Sequence, residues 1–351
     1  MAGMLMTTGT STSASSRSIR VLVRVDADDR VGCAHAVRTS ALLNMIRMPL
    51  QLTVVGAGAA LAAFFPQAQI EPAPASFPEL SKLVSEQGQD AIFIDLPPEA
   101  GWPWASLRAL QRPIITIDDT GGDVVADLVL NGTVLDAYHN YPCMSEGARA
   151  LVGVRYALIR PEFSRVRWRH PQERSVIIVV GSGKHAREWS FALASGAIEW
   201  SRWGKTSMVV GAAFSEFTAL TKSCQGAGIN LSRGLSARDL AALLARSSLA
   251  LTTGGMIVYE ALAVGVPTVV FPQIGNLVPE ANWFAAMGCV RNLGFDGGMD
   301  MTKVTLEVDA VLHDHSLARM LSDRARSIVD GRGMERAAAA MADLLGATVS
   351  R

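Results

Sequence analysis

The sequence has no surplus of charge of either sign and few aromatic residues. Its 351 residues include 32 Lys and Arg and 32 Asp and Glu, so the formal net charge is zero, and aromatics make up 6%. Proteins that bind nucleic acid or anionic membrane surfaces usually carry a basic surplus, and single-strand binders stack bases on aromatic side chains. We therefore expect no nucleic-acid partner and favour a small-molecule ligand.

Cysteine is scarce and scattered through the chain. The four cysteines are Cys33, Cys143, Cys224 and Cys289, and the sequence contains no Cys-x-x-Cys pair or Cys/His cluster. A disulfide framework or a metal site is therefore not predicted, and the simplest interpretation is a reduced, cytoplasmic protein. Residues 1–18 are rich in Ser and Thr and lack the apolar core of a signal peptide, so we predict a disordered leader.

Long apolar runs are missing as well. The most apolar window covers residues 50–65, is interrupted by Gly56 and Gly58, and is too short to span a bilayer comfortably. It is more typical of a strand that turns into a helix, so we expect no stable insertion into a membrane.

The chain is rich in short apolar runs that alternate with helical patterns. Strands are predicted at residues 20–25, 51–55, 91–95, 114–118 and 128–131, and again at 176–180, 207–210, 229–231, 249–252 and 268–271. Among the helices between them, one is predicted over residues 186–200. Such alternation is typical of parallel sheets covered on both faces. The prediction is an α/β protein with two doubly wound Rossmann-like domains facing a cleft, at 19–165 and 166–330, and a C-terminal helix at 331–351.

The loop after the first predicted strand contains residues suited to chemistry. Asp26 follows the strand, Gly32 leaves room for a ligand, and His35 stands near the start of the next helix. Ligands of parallel sheets bind at the carboxyl ends of strands, beside helix N-termini. A positive helix end disfavours imidazolium, so His35 would suit a general base. The alternative is a histidine that only caps or packs the helix start, and residue type alone favours that alternative.

Carboxylates end two further strands of the first half. Asp95 ends one strand, and Asp118 and Asp119 end the next. They are placed to bind sugar hydroxyls or a catalytic histidine, or to cap the turns that follow. The capping interpretation is favoured for Asp119, and the two are balanced for Asp95.

The most informative loop follows the strand at residues 249–252. Gly254 and Gly255 open a helix that carries Glu260, and Gly265-Val266-Pro267 ends that helix. Glycines at such a position let a diphosphate settle on the helix N-terminus. Glu260 is roughly 6–7 Å further along at 1.5 Å per residue, within reach of the ribose hydroxyls of the same nucleotide. The order of these residues favours nucleotide binding over a purely structural role.

Several of these residues together resemble a known family. Arg24-x-Asp26, Gly32-x-x-His35-x-x-Arg38, the string at residues 156–163 (YALIRPEF) and Gly254-Gly255 through Glu260 resemble the UDP-sugar hydrolases of the pseudaminic acid pathway. These enzymes release UDP from a UDP-linked 2,4-diacetamido-2,4,6-trideoxy sugar and are related to the GT-B glycosyltransferases. The resemblance covers roughly residues 19–295.

The resemblance implies a GT-B fold, UDP held mainly by the C-terminal domain, and hydrolysis of a UDP-activated amino or deoxy sugar in polysaccharide biosynthesis. His35 matches the catalytic histidine that activates water, Glu260 the ribose-binding carboxylate and Asn276 the asparagine of an Asn-Gln motif. No metal or organic cofactor is expected. The predicted catalytic residues are His35 and Asp26, and the predicted substrate and UDP contacts are Arg24, Gly32, Arg38, Asp95, Gly183, Gly254, Gly255, Met256, Glu260 and Asn276.

Four positions depart from the family pattern. Ala34 stands where Gly-x-Gly-His has its second glycine, and Leu96-Pro97 follows Asp95 in place of His-Tyr. Leu277 replaces the glutamine of Asn-Gln, and residues 181–184 (GSGK) replace Gly-Gly-Thr/Ser-Asp. The nucleotide site therefore resembles the family more than the sugar pocket does. A glycosyltransferase that uses a UDP-sugar donor and a non-catalytic sugar-nucleotide binder remain alternatives, and the oligomeric state is left open.

Overall fold

The computed structural model describes residues 17–28, 31–97, 104–181, 184–295 and 298–349, and within them the chain forms two parallel sheets. The first contains β1 (Ile19–Val25), β2 (Leu50–Val55), β3 (Gln69–Glu71), β4 (Ala91–Asp95), β5 (Ile114–Ile117), β6 (Leu128–Asn131) and β7 (Arg149–Val152). Its strand order is β3-β2-β1-β4-β5-β6-β7, and each pair is parallel. Every residue of β4, β5 and β6 is buried, as expected for strands covered on both faces.

The second sheet repeats this arrangement. It contains β8 (Ser175–Val179), β9 (Lys205–Val210), β10 (Ile229–Arg233), β11 (Leu249–Thr252), β12 (Thr268–Val270) and β13 (Arg291–Asn292). The order is β10-β9-β8-β11-β12-β13, again with parallel pairs. The predicted fold class, two doubly wound Rossmann-like domains, is therefore confirmed.

Helices cover the faces of both sheets. They are α1 (Ala34–Leu43), α2 (Leu61–Phe64), α3 (Phe77–Glu86), α4 (Trp104–Leu107), α5 (Pro161–Arg165), α6 (Lys184–Leu193), α7 (Phe217–Gly226), α8 (Ala237–Ala245), α9 (Met256–Val264), α10 (Val278–Ala286), α11 (Met301–His313), α12 (His315–Ile328) and α13 (Gly333–Val349). Local sequence explains several of their ends. Ser76 and Ser236 cap α3 and α8 by accepting an amide hydrogen bond three residues ahead, and Gly265 ends α9 in the left-handed conformation.

The strand order places two pairs of loops where a ligand can bind. In each sheet the order reverses beside the first strand, between β1 and β4 and between β8 and β11. The loops after these strands diverge to opposite faces and leave a crevice at the carboxyl ends. The loop before α1 and the end of β4 meet at the first crevice, and the loop before α9 lies at the second.

Some elements differ from their predicted bounds. The short strands β3, β7 and β13 were not predicted, because two to four residues with exposed positions carry little apolar pattern. The helix predicted over 186–200 ends at Leu193, and Gly196 takes a positive φ of 84° soon after. Trp200 then begins a separate 3₁₀ turn and donates its indole N–H to the Leu193 carbonyl, which satisfies the end of α6.

Two segments connect the domains. Phe163 of α5 is fully buried in the core of the second domain, although α5 precedes the predicted boundary at residue 165. The predicted C-terminal helix corresponds to α13, which packs on the first domain. Its buried residues Met334, Ala337, Met341 and Leu345 recur every three or four positions and join the core under β1. That spacing places them on one face, so the end of the chain returns to the domain where the sequence begins.

Candidate active site

A cavity of about 250 Å³ lies between the carboxyl ends of the two sheets. Both domains line it, together with the segment that connects them. The residues that face it are His35, Arg38, Pro97, Ile117, Asp119, Thr120, Gly132, Thr133, Tyr138, Ala157, Leu158, Ile159, Gly255, Met256, Tyr259, Asn276, Leu277 and Glu280. Of the predicted site residues, the structure thus brings together His35, Arg38, Gly255, Met256 and Asn276.

His35 is held by a buried carboxylate. It lies in the first turn of α1, and its Nδ1 is 2.7 Å from Oδ1 of Asp95, the last residue of β4. Burial alone would raise the pKa of Asp95, but the charge of Arg38, the charge that His35 carries when it is protonated, and the hydrogen bonds that both donate hold it well below its usual range. An ionised carboxylate can only accept, so in the neutral imidazole the hydrogen lies on Nδ1 of His35 and the lone pair on Nε2. Nη2 of Arg38, 3.2 Å from the same Nδ1, is then a neighbour of that nitrogen and does not donate to it.

Arg38 completes this network one turn further along α1. Its Nε and Nη2 donate to Asp95 at 2.9 and 2.6 Å, and its Nη1 and Nη2 donate to Asp119 at 3.0 and 2.8 Å. Thr39 also donates to Asp95, at 2.8 Å. Asp95 is fully buried and accepts from three side chains, so it is built to hold His35. Its predicted contact with a ligand stays a prediction.

Arg24 and Asp26 form a separate pair behind this network. Nη1 and Nη2 of Arg24 donate to the two carboxylate oxygens of Asp26 at 2.5 and 3.1 Å, and the Ala57 amide donates to Asp26 at 2.7 Å. Both residues are buried, and neither lines the cavity. The carboxylate that meets Nδ1 of His35 is therefore Asp95, and the predicted catalytic role of Asp26 stays a prediction.

Gly32 serves the turn that leads into α1. It has a positive φ of 73°, and its amide donates to the Asp28 carbonyl at 2.8 Å. A residue with a Cβ would be strained in this conformation. Gly32 does not line the cavity, so its predicted substrate contact stays a prediction.

The turn before α9 requires glycine for two reasons. Gly254 and Gly255 have positive φ angles of 93° and 71°, and a Cβ on Gly254 would lie 3.2 Å from Cδ1 of Leu277. Gly255 is the N-cap of α9, a nine-residue helix that begins at the cavity, where Gly255 and Met256 line it. Thr252, fully buried at the end of β11, has a side-chain oxygen without a hydrogen-bond partner among the described residues. A helix N-terminus beside an unsatisfied hydroxyl is suited to an anion such as a diphosphate.

Glu260 does not line this cavity. It is 1% exposed, and both of its carboxylate oxygens accept from Arg160, at 2.6 Å from Nε and 2.9 Å from Nη2. Burial raises the pKa of Glu260 although the charge of Arg160 opposes that effect. The pair joins the connecting segment to α9. The predicted contact of Glu260 with ribose stays a prediction, and Gly183 lies outside the described residues.

The structure adds three residues that the sequence did not single out as ligand contacts. Asp119 reaches the cavity after β5, although its expected role was to cap a turn. Tyr259 on α9 donates its hydroxyl hydrogen to Oε1 of Glu280, which lies in the first turn of α10. An acidic residue in the first turn of a helix is a common stabilising feature, so the sequence carried no signal that distinguished Glu280.

The described residues lack two features, a metal site and a membrane-spanning helix. They contain no group of three or more His, Cys, Asp or Glu side chains placed to hold a metal ion. In the same part of the chain, every helix is too short or too polar to cross a membrane.

In sequence, the chain is similar to the spore coat polysaccharide biosynthesis protein SpsG of Bacillus subtilis. The two are 29% identical over 106 residues, which is 30% of this chain and 31% of the relative. The match therefore spans about a third of that relative's length. A comparison with protein-family models gives no match.

Solved structures of similar fold cover nearly the whole chain. A co-structure of S. aureus MnaA with UDP has a TM-score of 0.59 at 13% identity and covers 91% of this chain and 94% of its own. A UDP-GlcNAc 2-epimerase from Neisseria meningitidis bound to UDP-GlcNAc has a TM-score of 0.58 at 11% identity. The match covers 91% of this chain and 98% of the epimerase chain. Acinetobacter baumannii MurG has a TM-score of 0.57 at 14% identity, and the match covers 93% of this chain and 99% of the MurG chain. At these identities the likeness shows the fold alone, and that fold is GT-B, as the sequence predicted.

Proposed function

We propose that this protein binds a UDP-activated amino or deoxy sugar in the cavity between its domains and hydrolyses it to the free sugar and UDP. The observation that carries the proposal is the pair of His35 and Asp95, which leaves Nε2 of His35 as a proton acceptor on a histidine that lines the cavity. Gly255 and Met256, at the start of α9, line the same cavity. A general base and an anion site therefore face one space.

The reaction needs a base on one side of the anomeric carbon and a site for the leaving group on the other. A water molecule attacks that carbon while Nε2 of His35 takes its proton. The bond from carbon to the diphosphate oxygen breaks, and its electron pair stays on UDP. Amides at the start of α9 stabilise the negative charge, so no basic side chain is required there.

The comparisons support a sugar nucleotide as the ligand class. Two proteins of the same fold are described with UDP or UDP-GlcNAc bound, and the sequence relative is named for polysaccharide biosynthesis. Transfer to an acceptor is the second candidate, because MurG and the calicheamicin glycosyltransferase CalG4 share the fold. Leu277 and Pro97, which line the cavity where the hydrolase family has polar side chains, favour a sugar different from that of the hydrolases.

The test is release of UDP from a panel of amino and deoxy UDP-sugars without an acceptor, with the anomeric product followed by NMR. His35→Ala should lower the rate on the order of 100-fold or more, as expected on loss of a general base. His313→Ala is the matched control, because His313 lies on the exposed side of α11 and should leave the rate unchanged. UDP release that requires an added acceptor would favour a transferase. An unchanged rate in His35→Ala would show that His35 is not the base.

A further inference from the structure

A second titratable group faces the cavity from the second domain. Glu280 lies in the first turn of α10 and lines the cavity together with His35, which belongs to the first domain. Its Oε1 accepts the hydroxyl hydrogen of Tyr259. Tyr259 follows Gly255 by four residues on α9, and residues four apart lie on the same side of a helix. The carboxyl of Glu280 is thus held one turn from the predicted diphosphate site.

The surroundings of Glu280 favour its protonated form. Burial is the largest effect, and the negative charge of Asp119 across the cavity adds to it, while the Tyr259 hydrogen bond and the charge of Arg38 act in the opposite direction. Together they raise the pKa of Glu280 to about 7. The titratable groups that face it are therefore Tyr259 from α9, Arg38 and His35 from α1, and Asp119 from the end of β5.

The two domains thus present groups in opposite protonation states. Asp95 is ionised and accepts Nδ1–H of a neutral His35, whose lone pair is then on Nε2, whereas Glu280 keeps its proton up to about pH 7. Environments that separate two titratable groups in this way are typical of an acid and a base that act together.

We propose that Glu280 is the general acid of the reaction and donates its proton to the leaving β-phosphate oxygen of UDP. The inference rests on the proposed function and adds the second catalytic residue to it. As the carbon–oxygen bond breaks, the electron pair moves to the diphosphate oxygen, and that oxygen takes the proton of Glu280. Nε2 of His35 takes a proton from the attacking water. Solvent then returns a proton to Glu280 and removes one from His35, so protons and charge balance over one turnover.

Tyr259 acts in this scheme as a positioning residue. Its hydrogen bond fixes one carboxylate oxygen of Glu280, which leaves the other for the substrate. Because the same bond lowers the pKa of Glu280, its removal should raise that pKa, whereas removal of the negative charge of Asp119 should lower it. The two substitutions therefore move one titration in opposite directions.

The kinetic test measures UDP release against pH in four forms of the full chain. In the wild-type protein, kcat/KM should fall as the pH rises through about 7, because Glu280 loses its proton in the ligand-free protein. Glu280→Gln should lower kcat on the order of 100-fold, the low end of general acid catalysis, and should abolish this alkaline limb. Tyr259→Phe should move the limb to higher pH and Asp119→Asn to lower pH. If Glu280→Gln keeps the wild-type kcat and limb while His35→Ala is inactive, Glu280 is not the acid and the proposed hydrolysis stands.

A binding test measures the effect of Glu280 on UDP affinity without catalysis. Calorimetry compares UDP with UMP, which has no β-phosphate, in the wild-type protein and in Glu280→Gln. We take the ratio of the UDP dissociation constant of Glu280→Gln to that of the wild-type protein. This ratio should change as the pH passes through about 7, because only the wild-type protein then loses the proton of Glu280 that is donated to the β-phosphate. The ratio for UMP should stay constant. A ratio for UDP that does not change with pH would overturn the role of Glu280 but leave the proposed hydrolysis standing. Failure of UDP to bind would overturn the proposed function, and with it this inference.

Discussion

Asp95→Asn tests the network that holds His35. The carboxylate of Asp95 accepts hydrogen bonds from three side chains. The donors are Nδ1 of His35 at 2.7 Å, Nε and Nη2 of Arg38 at 2.9 and 2.6 Å, and the Thr39 hydroxyl at 2.8 Å. Asparagine has nearly the same shape but turns one acceptor oxygen into a donor. Whichever way the amide is oriented, it faces at least one N–H of Arg38, and a buried donor loses its partner.

The cost follows from that lost partner. A hydrogen bond to a charged group contributes about 1.5–3 kcal/mol, and breaking a buried ion pair costs about 3–5 kcal/mol. Arg38 keeps its two bonds to Asp119, and its side chain is 14% exposed, so the loss should lie near the lower end. We expect the free energy of unfolding to fall by about 2–4 kcal/mol.

The same substitution should change the pH dependence of stability. The native pKa of Asp95 lies below its unfolded value of about 3.9. The stabilisation is therefore complete above that value and is lost as the pH falls toward the native pKa. Wild-type protein should lose stability on acidification below about pH 4, and Asp95→Asn should lose less over the same interval.

Urea unfolding and UDP release measure the two consequences. UDP release should fall on the order of 100-fold, because an amide no longer selects the tautomer of His35 that leaves Nε2 free. Glu86→Gln is the control, since this carboxylate on α3 is 64% exposed and its removal should change stability by about 0.5 kcal/mol or less. Wild-type stability and rate in Asp95→Asn would refute the assignment of Asp95 as the residue that orients His35.

Two further substitutions test the second domain. Glu260→Gln should lower the free energy of unfolding by about 2–4 kcal/mol in urea, because it leaves the guanidinium of Arg160 without its buried partner. An unchanged midpoint would show that this pair does not join the connecting segment to α9. Gly254→Ala should weaken UDP binding by about 10-fold or more in calorimetry, since the new methyl group disturbs the turn that presents the α9 amides. Gly147→Ala is its matched control, with a positive φ of 84° but open space around it, and equal effects on UDP binding would contradict the argument.

Local sequence was enough to predict the architecture. Apolar strands such as residues 91–95 and 249–252 are buried on both faces, and single helices separate them, so the pattern itself requires parallel sheets. His35 and Gly255 each follow a strand and precede a helix, and this position predicted their place at the cavity. These inferences rely on periodicity and on the order of neighbouring residues, which the chain carries directly.

Contacts between distant residues were decided only by the tertiary structure. Asp26 follows β1 and Asp95 ends β4, and sequence alone does not tell which of the two meets His35. The strand order places β4 beside β1, so Asp95 reaches the imidazole across 60 positions of sequence, while Asp26 is occupied by Arg24. Glu260 was singled out as a ribose contact, and only the fold shows that Arg160 reaches it from 100 positions away.

The titration of Glu280 has the same origin. Its pKa depends on Tyr259 from a neighbouring helix and on Asp119 and Arg38 from the other domain, and no local pattern reports those neighbours. The sequence by itself therefore determined the two sheets and the loops that carry chemistry. The tertiary structure decided which side chains share a proton, because burial and charge act between residues that only folding brings together.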